Sequence, residues 1–290
     1  MLSDFKKIAV IAPSGPPHRE TLLKSVEAAR RANINIELMP NVFAADDAPY
    51  LAASTAKRLD DLHRALNDPD TELILCARGG FGAVHLLDGI DWQLMRERNL
   101  PLAGLSDITA LHLAMLAKNA GIPWAAPMAI RLERLLNDRE AERLLLPLFH
   151  PDQSCSLAHI EVLRGDEVQG LPVVANLTVM ASLCGSEYMP DVSGRVLVLE
   201  DVGEAPYRLD RSLMQLALNG IFSRAAGVVF GTFTDCGEAD DAGKLIDRSL
   251  ALLPEFVGKG MPFGHDWPIT AIDQSRAVKI VSGELFTLPR

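Results

Sequence analysis

The stretch AGLSDITALH, Ala103 to His112, sets a serine and an aspartate between a short apolar run and a helix-like pattern. Two readings of Ser106 stand side by side. A Ser-Asp pair is a common helix start, where a side-chain oxygen satisfies an orphan N–H of the first turn. The same position can carry a nucleophile on a sharp strand-to-helix turn, with the following N–H groups aimed at a developing oxyanion. Gly104 permits such a turn, although Ile108 stands where the G-x-S-x-G elbow has its second glycine. Taken alone, the motif favours the cap.

A serine nucleophile needs a base, usually histidine, and a carboxylate to orient that base. Of the seven histidines, His63 lies among charges on an amphipathic pattern, and His112 is six residues beyond Ser106 on one helix, awkward for direct contact. His150 and His159 fall in a weakly patterned region, whereas His265 in MPFGHDWPIT follows a glycine in a turn and suits a loop-borne base. RVLVLEDVGEAPYRLDR offers Glu200, Asp201 and Glu204 after the run Val196–Leu199. An acid there would sit at a strand rim, able to orient an imidazole; the plain alternative is a surface charge or a helix-capping carboxylate.

In CARGGFGAVHLL, Gly79, Gly80 and Gly82 follow a strand and precede a helix, so backbone N–H groups can cradle an anion. A dinucleotide site is not indicated, because His85 replaces the third glycine of G-x-G-x-x-G and no acid follows at the expected distance. Arg78 suits either a substrate carboxylate or a structural anchor.

The elements that must position these residues alternate along the first half. KIAVIAPSG reads as a buried strand, residues 19–32 as a helix, INIELMP as a strand, and APYLAASTAKRLDDLHRALND as a long amphipathic helix. TELILCARGG and LPLAGLSD give two more strands, the second leading into the helix after Ser106. Such alternation predicts a mostly parallel α/β sheet with its binding crevice at the carboxyl ends of the strands. The pattern weakens from Glu140 to about Gly170, where LFHPDQSCS is turn-rich and IEVLRGDEVQGLPVV begins β-rich sequence. We therefore expect an N-terminal α/β domain over 1–150, a linker over 151–164, and a smaller β-rich domain over 165–290. In the latter, GRVLVLEDVG, AAGVVFGTFTD and AVKIVSGELFTL read as strands, with helices near 208–219 and 243–253.

A formal charge of −10 argues against a nucleic-acid partner. Cys76, Cys155, Cys184 and Cys236 form no C-x-x-C pair, so neither a zinc site nor a disulfide framework is expected. The short apolar run near the N-terminus ends at Pro13 and lacks the character of a signal peptide, and no stretch approaches a membrane span. The expectation is a cytoplasmic protein.

Taken in order, IAPSG, ARGGFG, GLSDITALH, LVLEDVGEAPYRLDR and FGH resemble the LD-carboxypeptidase family of serine peptidases that act on murein peptides. The resemblance implies a Ser-Glu-His triad of Ser106, Glu200 and His265, in a groove between the two domains. It implies an oxyanion hole from the backbone of Asp107 with Gly79 and Gly80. Arg78 and Glu204 are the candidates for holding substrate. The implied reaction removes the terminal D-alanine of a murein tetrapeptide during cell-wall recycling, without cofactor or metal, in a homodimer. A related branch cleaves toxic peptide–nucleotide or aminoacyl-nucleotide conjugates as self-immunity peptidases and stacks the base on an aromatic, for which Trp267 and Tyr188 are available. A non-catalytic small-ligand binder is the reading from another class. One departure bears on the substrate groove: VVAN, Val173 to Asn176, replaces a WGGN-like stretch.

Overall fold

The computed structural model describes residues 2–44, 48–238 and 241–290. The chain forms two compact units, one ending at Leu146 and one running from Pro147 to Arg290.

The first unit is built on β1 (Ile8–Ile11), β2 (Ile36–Leu38), β3 (Leu73–Cys76), β4 (Pro101–Gly104) and β5 (Ile122–Ala125). They lie side by side in the order β5-β4-β3-β1-β2, all parallel. IAVI, LILC and PLAG are buried at every position, as expected of strands covered on both faces. The covering helices are α1 (Arg19–Arg31), α2 (Thr55–Asn67), α3 (Trp92–Arg98), α4 (Thr109–Lys118), α5 (Leu132–Leu136) and α6 (Arg139–Arg143). The strand order reverses at β1 and β3. In a doubly wound sheet that point opens a crevice at the carboxyl ends. The loops after β1 and β3 begin there.

Two expected elements differ. The helix read from Ala48 begins only at Thr55, because Leu51, Ala52 and Ala53 are buried in an irregular segment. Ala52 N–H bonds the Ser14 carbonyl and Arg58 Nε holds the Ala53 carbonyl, so tertiary bonds take the place of helical ones. The stretch after the glycine loop is a 3₁₀ segment, Ala83–Gly89, rather than an α-helix.

The short helix α7 (Leu146–Phe149) leads into the second unit. Its main sheet has the order β7-β12-β11-β10-β9, from β7 (Glu161–Arg164), β9 (Pro172–Asn176), β10 (Val196–Val202), β11 (Gly227–Thr234) and β12 (Phe256–Lys259). All neighbours are parallel except β7 with β12. An antiparallel sheet follows the order β6-β15-β14-β8, from β6 (Cys155–His159), β8 (Glu167–Gly170), β14 (Val278–Val281) and β15 (Glu284–Thr287); the two-residue strand β13 is Ile272–Asp273. The helices are α8 (Leu177–Ser182), α9 (Pro206–Leu218), α10 (Ile221–Arg224) and α11 (Asp241–Ser249).

Residues 151–164, expected as a linker, thus carry two strands. β6 and β7 are sheet-edge strands in which Leu157 alone is buried, so their sequence lacks the apolar run that marks a central strand. AVKIVSGELFTL, expected as one strand, is a hairpin. Ser282 and Gly283, at φ 51° and 78°, make the turn, the left-handed pair that two-residue hairpins require. Among the described residues no helix is long and apolar enough to cross a membrane.

Candidate active site

Each unit presents one cluster of chemically capable residues. In the first, Ser106 follows β4 through Leu105 and opens a 3₁₀ turn, Ser106–Ile108, that runs into α4. Its φ is 66°, a left-handed conformation that an L-residue with a Cβ adopts at a cost. The cap reading is overturned: Leu105 and Ile108 occupy the two N-cap positions, and neither helix start has a side-chain cap bond. Ser106 is half-buried on a strained turn. Gly104 serves that turn by space, since a Cβ there would lie 2.8 Å from Ile108 Cγ2.

The glycine loop lies directly against this serine. A Cβ on Gly79 would stand 2.8 Å from Ser106 Cβ and 2.9 Å from its Oγ. Gly80 and Gly82 have φ of 122° and 116°, where glycine is the residue that fits. The opening IAPSG motif completes the packing: Gly15 N–H donates to the Gly79 carbonyl at 3.2 Å, and a Cβ on Gly80 would meet Gly15 at 3.1 Å.

Asp107, expected to contribute its backbone N–H, also has a buried side chain. Its Oδ2 accepts from Ser14 Oγ at 2.6 Å and from the Ala83 N–H at 2.8 Å. Burial pushes its carboxyl above the usual range, while those two bonds and the nearby Arg58 charge pull it back. Arg58 is itself buried and donates to the carbonyls of Pro13 and Gly82. Sequence reasoning missed Ser14, Arg58 and the Asp107 carboxylate; for Ser14 and Asp107 the available signal was a polar residue just past a buried strand, whereas Arg58 lies within α2.

In the second unit, His265 Nδ1 lies 2.8 Å from Glu200 Oε2. Glu200 is fully buried and the His265 side chain 22% exposed. The rim and surface readings of Glu200 are corrected, because β10 continues to Val202 and encloses it. Burial drives its carboxyl upward, and the bond and charge of His265 oppose that. Close backbone approach makes the pair reachable. Gly264, at φ 139°, has no room for a Cβ beside Thr232 Oγ1 and Glu200 Oε2, and Gly231 packs on the Phe263 carbonyl. Thr232 N–H then bonds Phe263 O at 2.9 Å, opposite a register shift of β10 and β11 at Leu199–Asp201.

Asn176, paired in register with Glu200, donates to Glu200 Oε1 at 3.3 Å and to Asp201 Oδ1 at 2.9 Å. Asp201 also accepts from Thr178 N–H and Oγ1. The VVAN departure therefore keeps the residue that touches the carboxylate, an asparagine ending a buried strand.

Arg78 donates to the Pro16 carbonyl at 3.2 Å. Glu204 lies 3.5 Å from Arg208 Nη1, with its Oε2 buried and lacking a hydrogen bond. His112 is buried with Nε2 on the Leu102 carbonyl at 3.0 Å, and His159 pairs with Glu284. Trp267 and Tyr188 are both half-buried. Among the described residues no group of three or more His, Cys, Asp or Glu is placed to hold a metal.

Residues 8–125 match the LD-carboxypeptidase N-terminal domain and residues 169–280 its C-terminal domain. The murein tetrapeptide carboxypeptidase of Pseudomonas aeruginosa is 34% identical over 254 residues, 82% of this chain and 80% of that protein. In fold, the chain is similar to a muramoyltetrapeptide carboxypeptidase from Oxalobacter formigenes, with TM-score 0.83, 24% identity and 98% and 100% of the two chains covered. It is also similar to the microcin C7 self immunity protein MccF in complex with aspartyl sulfamoyl adenosine, with TM-score 0.84, 18% identity and 98% and 96% covered. The chain belongs to the LD-carboxypeptidase family and is a serine carboxypeptidase.

Proposed function

We propose that this carboxypeptidase hydrolyses the bond to the terminal D-alanine of murein tetrapeptides, with Ser106 as nucleophile, His265 as general base and Glu200 as its orienting carboxylate. The observation that carries this reading is the His265–Glu200 pair. A buried carboxylate on Nδ1 fixes the tautomer that leaves Nε2 to take the serine proton.

In this reading Ser106 Oγ attacks the carbonyl as its proton passes to His265. The oxyanion is held by the backbone N–H of Asp107 and by the Gly79–Gly80 turn, His265 returns the proton to the departing D-alanine amine, and water then releases the tripeptide. The reaction requires Ser106 Oγ and His265 Nε2 to meet within about 3 Å. A free carboxypeptide end needs a cation, and Arg78 supplies one beside the glycine turn. Glu204, whose buried Oε2 already lies 3.5 Å from Arg208 Nη1, is the second candidate for holding substrate. Cytoplasmic residence, a role in cell-wall recycling and a homodimeric assembly belong to the same reading.

The test is D-alanine release from murein tetrapeptide by the wild type and by Ser106→Ala, His265→Ala and Glu200→Gln. Loss of release in the first two supports the assignment. Activity that survives Ser106→Ala refutes the nucleophile. Cleavage of an aminoacyl sulfamoyl nucleotide in place of the tetrapeptide refutes the substrate.

A further inference from the structure

The acyl-transfer scheme uses the backbone of Asp107 and gives its side chain no part. That side chain is nevertheless built into the nucleophile turn. One oxygen, Oδ2, takes Ser14 Oγ from the loop after β1 and Ala83 N–H from the end of the glycine loop after β3. Both partners are donors, so an acceptor is needed at this point, and both are buried with it. The same two loops are tied a second time by Arg58, through the Pro13 and Gly82 carbonyls. Between Ala83 and the end of β3 lies Gly79, whose Cα has no space for a methyl group against Ser106.

The geometry points to Asp107 as a positioning residue whose carboxylate clamps the glycine loop against the nucleophile turn and thereby sets the spacing between Gly79 and Ser106 Oγ. The inference rests on Ser106 being the nucleophile. Without the clamp, Ala83 and Ser14 lose their shared acceptor, and the far end of the loop keeps its tie to Arg58 at the Gly82 carbonyl but loses its tie to the residue beside the serine. Substrate binding depends less on this spacing than does the transition state, whose oxyanion the loop must meet.

The experiment compares Asp107→Ala, Asp107→Asn, Ser14→Ala and Ser106→Ala for D-alanine release from murein tetrapeptide, with a urea midpoint for each. Asp107→Ala is expected to lower kcat ~100-fold, as a displacement near 1 Å does, with KM within ~3-fold of wild type. Asp107→Asn keeps an acceptor oxygen and recovers kcat to within ~10-fold of wild type, while Ser14→Ala falls between the two. Undiminished kcat in Asp107→Ala overturns the clamp, as does an equal loss in Asp107→Ala and Asp107→Asn. Should Asp107→Ala fail to fold, Ser14→Ala decides: full kcat in that folded variant overturns the proposal. A dead Ser106→Ala beside a fully active Asp107→Ala defeats the clamp alone. An active Ser106→Ala defeats the nucleophile reading and the clamp together.

Discussion

Gly79→Ala is the sharpest perturbation of the first cluster, because its effect is steric alone. Gly79 is not among the residues of positive φ, so alanine adopts its backbone without strain. The added methyl lands 2.8 Å from Ser106 Cβ, 2.9 Å from Ser106 Oγ and 3.5 Å from Asp107 N. Unbonded carbons settle near ~3.5–4.0 Å, so serine and loop must part by about 1 Å. Leu105 and Asp107 on either side of the serine are buried, which leaves no slack to absorb that shift elsewhere. A displacement of ~1 Å at a reacting group costs ~100-fold in rate, equivalent to about 2.7 kcal/mol of transition-state stabilisation. Overpacking adds about 1–3 kcal/mol of lost stability. The assay is kcat/KM for D-alanine release, with a urea melt on the same samples. Gly79→Ala retaining a third or more of wild-type kcat/KM, with an unchanged midpoint, would refute the claim that this loop is pressed against Ser106, the proposed nucleophile.

Three further outcomes follow from other positions. Ser106→Gly removes the left-handed strain at φ 66° and should stabilise the fold by about 1 kcal/mol while abolishing activity; a destabilised variant by urea titration would contradict the strained turn. Gly264→Ala places a methyl into Thr232 Oγ1 and 3.2 Å from Glu200 Oε2, so activity should fall by ~100-fold or more, with partial recovery when Thr232→Ala is added. Burial lowers His112 from 6.5 to about 4, so below pH 6.5 the unfolded chain binds a proton that the folded chain refuses. The resulting stability, about 3 kcal/mol, is full above pH 6.5 and lost as pH falls to about 4. His112→Gln should flatten the pH profile of unfolding free energy over that window, and an unchanged slope would show that His112 is not buried neutral.

The chemistry-bearing residues and the central strands were legible in the chain. IAVI, LILC and VLVL announce buried strands because an apolar run with no polar alternation has both faces to cover. Gly79, Gly80, Ser106 and His265 stood out because glycines, a serine and a histidine in strand-to-loop turns are the residue types that acyl transfer needs. The edge strand β6 was not legible, since its exposed positions carry the same polar residues as a linker, whereas β7 lies in IEVLRGDEVQGLPVV, which reads as β-rich.

The tertiary structure decided the roles. Ser106 became a strained turn residue rather than a cap, because its backbone state is imposed by β4 on one side and by the buried Asp107 on the other. Glu200 became a buried partner of His265 rather than a rim charge, because β10 runs past it between β9 and β11. Asp107 found Ser14 93 residues away, and His265 found Glu200 65 residues away. Residue type is local and can be read along the chain; hydrogen-bond partners and burial are set by which distant segments the sheets bring side by side.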